Sequence, residues 1–144
     1  MTPDTVFNIC NTLALMGWII LLVFPFWHSS DSFLIGILIT LFALVYCWLI
    51  FSHFKIDDLS KFGSLGGVME LFKDPAMVAA GWIHYLAFDL MTGIFIKKNA
   101  LKHGISHGLV IPCLLLTFLF GPIGLLLYLL IRLLATRHYF ASNY

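Results

Sequence analysis

The stretch Ala76–Ile96, AMVAAGWIHYLAFDLMTGIFI, decides how the rest of the chain is read. Its 21 residues, wound as α-helix, span roughly 30 Å, about the hydrocarbon thickness of a bilayer. Two ionisable side chains, His84 and Asp89, interrupt an otherwise almost wholly apolar run, and Asp89 lies 14 residues into it. At the centre of a membrane helix such a group costs on the order of 2.5–3.5 kcal/mol on insertion scales. A partner or a purpose has to offset that cost.

The composition agrees with a membrane reading. The chain has 144 residues, 61% hydrophobic and 10% charged, with a mean hydropathy of +1.00. Soluble domains carry roughly 25% charged residues. A net charge of +1 gives no footprint for nucleic acid. Cys10, Cys47 and Cys113 each fall within an apolar run without metal-binding spacing, and read as small hydrophobes. Neither a cleavable signal sequence nor an arginine- and serine-rich transit segment is recognisable. The chain therefore reads as one membrane domain over 1–144, bacterial or already mature in form.

Apolar runs and breakers predict an all-α, integral-membrane four-helix bundle, with helices at about 5–24, 33–51, 76–96 and 109–134. The first stops before Pro25 and carries Asn8, Asn11 and Thr12 on one face, as polar glue between helices or as interfacial solvation. The second is uncharged, with Trp27 and Trp48 as interfacial anchors and His28 and His53 flanking it. Between the second and third, Leu59, Phe62, Leu65, Met69 and Phe72 recur at helical spacing and predict a short interfacial helix, with Glu70 at the membrane edge. Asp74 and Pro75 supply a cap and first position for the third helix. The fourth, 26 residues and so about 39 Å long, exceeds the hydrocarbon thickness and is expected to kink at Pro122, with Arg132 near one interface and Arg137 and His138 in the tail. Four crossings place both termini on one side. That side holds Lys55, Lys61, Lys73, Arg132 and Arg137 against Lys97, Lys98 and Lys102, which favours cytoplasmic termini, in a bacterial inner membrane.

His84 and Asp89 point about 140° apart on a helix, so they border one cavity only if the third helix is packed on two sides. Asp89 shares a stripe with Trp82, Tyr85 and Thr92. It reads either as a proton donor or as a packing group hydrogen-bonded to Tyr85, Asn8 or Asn11 or paired with Arg132. His103 and His107 have the spacing of a metal pair but no carboxylate near in sequence, so no metal is assigned. Phosphate-binding glycine loops, a nucleophile elbow and histidine-rich boxes are all absent from the sequence. Any chemistry is then acid–base work without a cofactor.

Gly81-Trp82-Ile83-His84-Tyr85-Leu86-Ala87-Phe88-Asp89-Leu90 with Gly93 resembles the abscisic-acid-deficient-4-like family. So do Phe62-Gly63-Ser64-Leu65 and Asp74-Pro75 upstream, and His107, Ile111-Pro112-Cys113-Leu114 and Phe120-Gly121-Pro122-Ile123-Gly124-Leu125-Leu126-Leu127-Tyr128 through Arg132 downstream. Plant members are implicated in making neoxanthin from violaxanthin. The resemblance thus implies a carotenoid or isoprenoid isomerase-like protein that turns an epoxide into a hydroxy-allene, with an acid at the oxygen and a base at a polyene carbon. Under it Asp89 is assigned as acid and His84 as base or relay. Trp82, Tyr85, His107, Tyr128, Arg132 and Glu70 line the substrate, with Arg132 or His107 orienting its polar end. A non-catalytic carotenoid- or lipid-binding scaffold, partnered by a biosynthetic enzyme or a second copy, is the competing reading. A transporter fits less well, because one strongly ionisable group lies deep and no inverted repeat is visible.

Overall fold

The computed structural model describes residues 1–27 and 29–137, so His28 and His138 lie outside the described residues. The described residues are almost all helical and contain no strand. Helix α1 is Pro3–Val23, α2 is Ser30–His53, α3 is Leu65–Leu71, α4 is Pro75–Lys102, α5 is His107–Phe120 and α6 is Pro122–Thr136. Helices α1, α2 and α4 are long and apolar enough to cross a membrane.

The caps follow from local chemistry. Thr2 Oγ1 accepts from the Thr5 amide at 3.3 Å, and Asp74 Oδ1 accepts from the Ala76 amide at 2.9 Å. Each is followed by a proline whose missing N–H is harmless in a first turn. Helix α2 begins at Ser30, earlier than predicted, and contains a π-helical turn over Leu34–Ile39. The Thr40 hydroxyl donates to Ile35 O at 3.0 Å there. Helix α4 continues to Lys102 instead of ending at Ile96. Lys97, the first charge beyond Ile96, is only 2% exposed and ion-paired, so the charge does not terminate the helix.

Helix α4 is the centre, packed against α1, α2 and α5. Helix α1 runs beside it in the same direction, Asn11 level with Trp82 and Trp18 against Gly93. A Cβ on Gly93 would stand 2.8 Å from the Trp18 ring, and one on Gly17 would stand 2.7 Å from Leu38. These glycines allow the close approach that packs membrane helices. Helix α2 runs the opposite way, from Ser30 beside Lys97, past Tyr46 beside His84, to His53 at 3.8 Å from Asp74.

The predicted fourth helix is two helices. Gly121 has φ +46° and ψ −95°, and the chain reverses there instead of kinking. Cys113 O and the Thr117 backbone and hydroxyl occupy the place where a Gly124 Cβ would go, so α6 lies back along α5. Pro122 then serves as the first residue of α6. The reversal is self-satisfied: Gly121 N–H donates to Thr117 O at 2.8 Å, Gly124 N–H donates to Gly121 O at 3.1 Å, and Thr117 Oγ1 donates to Cys113 O at 2.8 Å. Irregular backbone at this depth is tolerated only when buried in protein, and Gly121 is buried. The tip lies against Asp89, midway along α4, and α6 returns Tyr128 and Arg132 to Asn99 near the far end of α4. Three long apolar helices and a shorter helical hairpin thus stand where four long helices are expected from the sequence. The Pro3 start of α1 lies beside Pro75 and the α6 return arm beside Asn99, at opposite ends of α4.

The predicted surface helix is also split, into a 3-10 helix over Ile56–Gly63 and α3, which Ser64 caps by accepting from Gly67 N–H at 3.1 Å. Ile56, Leu59, Leu65 and Met69 are all more than 60% exposed, an apolar row suited to the headgroup boundary. On it, Lys61 Nζ meets Asp58 at 3.0 Å and Glu70 at 3.2 Å. The Lys55 amide, then Lys61, holds the Asp58 carboxyl below its ordinary range, and Asp58 with Glu70 raises the Lys61 amine. A depressed aspartate stabilises structure above its unfolded value and loses that contribution as pH falls through its folded value. Amide exchange in 56–71 is thus expected to quicken in acid below the ordinary carboxylate range, while α4 stays protected. Parallel acid loss of protection in both would show that the network does not act locally.

Gly121→Ala places a methyl 2.7 Å from Asp89 Oδ1 in a backbone region that disfavours side chains. The expected destabilisation is about 1–3 kcal/mol, read as a fall in thermal midpoint in detergent. An unchanged midpoint would contradict the observed reversal.

Candidate functional site

Because the hairpin stops at mid-length, the flank between α1 and α4 on the Pro3 side of its tip is left uncovered. A cavity of about 330 Å³ occupies that position, lined by Asn11, Leu15, Trp82, Tyr85, Phe118 and Leu119 among others. Leu15 is 49%, Trp82 41% and Leu119 58% exposed, so its mouth opens sideways, toward acyl chains in a bilayer. Trp82 is fixed on one side by the Phe7 ring, centroids 5.6 Å apart, and on the other by Tyr85 at 5.2 Å. Its indole N–H donates to Asn11 Oδ1 at 2.7 Å.

Asp89 lies behind this wall, one turn after Tyr85 on the same face of α4. The Tyr85 hydroxyl stands between the Phe118 carbonyl, to which it donates at 3.4 Å, and the Asp89 carboxyl. Asp89 is 9% exposed, and its Oδ2 has no hydrogen-bond partner among the described residues. Its carboxyl lies against Gly121, the residue before α6, where the helix dipole is positive. The arrangement provides a buried acid–base group, a hydroxyl in contact with it, and a space beside the hydroxyl.

The other residues singled out in the sequence are dispersed. His84 faces the opposite flank of α4, in a groove of about 350 Å³ shared with Phe42, Tyr46, Phe88 and Met91. Its ring lies 5.6 Å from Tyr46 and 4.5 Å from Phe88. Helix α4 is thus packed on two sides, but His84 and Asp89 border different spaces. His107 Nε2 donates to Leu22 O at 3.0 Å, since a carbonyl can only accept; it ties the start of α5 to the end of α1. Tyr128 Oη donates to Asn99 Oδ1 at 2.6 Å, and Arg132 Nη1 lies 3.4 Å from the same oxygen. These two anchor the return arm near the far end of α4. Glu70 pairs with Lys61 on the surface segment.

Sequence reasoning read Gly121-Pro122 as a kink and overlooked Phe118, Asn99 and the ion pair of Lys97 with Asp31, to which Ser30 Oγ adds a contact at 3.0 Å. The Gly-Pro pair and the excess length of the fourth apolar run were the available signals for the hairpin. No local pattern linked Asp31 with a lysine on another helix.

Three long apolar helices, with a shorter helical hairpin whose tip meets a carboxyl, define a small all-α membrane protein. Residues 5–128 match the model of the ABA DEFICIENT 4-like family, and the chain belongs to it. The match ends at Tyr128, within α6, before Arg132. No protein of curated function and no solved structure matches the chain significantly.

Lys97→Met would leave Asp31, whose side chain is 17% exposed, without its cation. The expected loss is near the lower end of about 3–5 kcal/mol. Lys97→Met with Asp31→Leu removes both charges and is expected to recover most of it in thermal unfolding. A double variant as unstable as the single one would show that the pair does not hold α2 to α4.

Proposed function

We propose that the protein is a membrane-embedded, isomerase-like protein of carotenoids or related isoprenoids, acting on a substrate that enters the cavity between α1 and α4 from the lipid. The observation that carries this is the buried Asp89 carboxyl one helical turn beyond Tyr85, whose side chain lines that cavity. In the reaction that family membership suggests, a proton reaches the epoxide oxygen as one C–O bond breaks. A C–H bond on the adjacent polyene carbon then gives its electron pair to the new cumulated double bond, and its proton leaves to a base. The proton given equals the proton taken, so the change is an isomerisation. Asp89, working through Tyr85, supplies the first proton and in a stepwise reaction recovers the second. His84 is separated from this cavity by α4 itself, so the pairing of Asp89 with His84 read from the sequence gives way to Asp89 with Tyr85.

A non-catalytic pigment- or lipid-binding scaffold is the second reading. It is favoured by the groove on the other flank, where Tyr46 and His84 are the only strongly polar side chains. On orientation, the hairpin puts Lys97, Lys98, Lys102, Arg132 and Arg137 at one end and Lys55, Lys61 and Lys73 at the other. We propose that the first end is cytoplasmic.

The test is pigment analysis of protein incubated with violaxanthin in membranes. Wild type is expected to form an allenic product. Asp89→Asn should lose about 10²-fold or more in rate, Tyr85→Phe a smaller factor, and His84→Ala little. Product formation undiminished in Asp89→Asn would overturn the acid assignment. Pigment bound unchanged by all four proteins would establish the scaffold reading.

A further inference from the structure

We infer that Asn11 is the oxygen-recognition residue of the lateral cavity, and that the cavity takes the oxygen-bearing end group of an otherwise apolar lipid. This rests on the reading of the cavity as a substrate site and specifies what the site selects. Indole N–H is only a donor, so the Trp82 contact at 2.7 Å requires the amide oxygen of Asn11 on that side. The amide NH₂ is therefore turned away from Trp82; no acceptor for it stands among the described residues, and it is not enclosed in protein. Asn11 lines the cavity, and its place eight residues beyond Pro3 sets it about 12 Å along α1. In a bilayer that position faces acyl chains, where an amide donor without an acceptor carries a desolvation cost. An acceptor oxygen on the occupant removes that cost.

The remaining walls fit the same occupant. Trp82, Tyr85 and Phe118 present ring surfaces, while Leu15 and Leu119 flank the mouth. At about 330 Å³ the space lies at the small end of ligand sites. It holds a ring with its substituents, and a longer chain must trail through the open side into the acyl region. Tyr85 and Asn11 lie on different helices across the cavity, so an oxygen held by Asn11 orients the end group relative to the Tyr85 hydroxyl. Asn11 is a positioning residue in this account.

The experiment compares binding of violaxanthin with β-carotene, which has the same skeleton without oxygen, to the full chain in nanodiscs. The proteins are wild type, Asn11→Leu and the double variant Asn11→Leu/Trp82→Phe. The double variant leaves no orphaned indole N–H and keeps the test valid if the single one folds poorly. Wild type is expected to prefer violaxanthin by about fivefold or more, the worth of one hydrogen bond. Both variants should lose that preference, the violaxanthin-to-β-carotene affinity ratio falling toward one whatever the change in absolute affinity; a merely structural Asn11–Trp82 bond would not shift the ratio. Preference retained in the double variant overturns the role of Asn11 and leaves the substrate site standing. Wild type binding neither pigment overturns the substrate site and this inference with it. A wild type without preference, whose thermal midpoint falls when ester phospholipid is replaced by diether lipid, shows that a lipid ester carbonyl fills the site and also overturns the inference.

Discussion

A carboxyl group midway along a membrane helix must be met by a dipole, a donor or another charge, and Asp89 shows how this chain arranges it. The Tyr85 hydroxyl lies on one side and the positive end of α6 on the other. Whenever that carboxyl is ionised, a helix N-terminus contributes typically 0.3–1 kcal/mol, and up to about 2 kcal/mol in partly buried geometry. That offsets part of the insertion cost without a permanent counter-ion. The same contact requires glycine at 121, because any side chain there would meet the carboxylate. The position of Asp89 and the reversal of the chain at Gly121 are thus one constraint seen from two helices.

The hairpin also needs its return end fixed. Asn99 accepts from Tyr128 and lies beside Arg132, and His107 binds the last turn of α1, so α5 and α6 are held at their open end. Lys97 and Asp31 fasten α2 to α4 at the same level. The half-length of the hairpin leaves an uncovered flank between α1 and α4, and the lateral cavity follows from it. A full-length fourth crossing would have lain across that flank.

Much of this was legible in residue order. The apolar runs located three long helices, Asp74-Pro75 marked the start of α4, and five-residue spacing already separated His84 from Asp89 around the helix. The hairpin was not legible, because Gly121-Pro122 is equally compatible with a kink and with a reversal. What decides between them is non-local: Gly124 packing on Cys113 and Thr117, and Asn99 capturing Tyr128. Arg132 looked like an interfacial snorkel, and Tyr128 and His107 looked like substrate contacts. Their partners are backbone or amide oxygens on helices distant in sequence, which no local pattern announces.

In a bilayer, a reversal at Gly121 returns Thr136 to the Lys98 side, so topology tests it most directly. In a chain with Cys10, Cys47 and Cys113 replaced by alanine, single cysteines at Asp4, Lys98 and Thr136 can be labelled in intact vesicles with a membrane-impermeant maleimide. The account predicts that Thr136 labels from the same side as Lys98 and that Asp4 labels from the other. Asp4 and Thr136 labelling together, opposite Lys98, would mean that α5 and α6 cross the membrane as one kinked helix, and would contradict it.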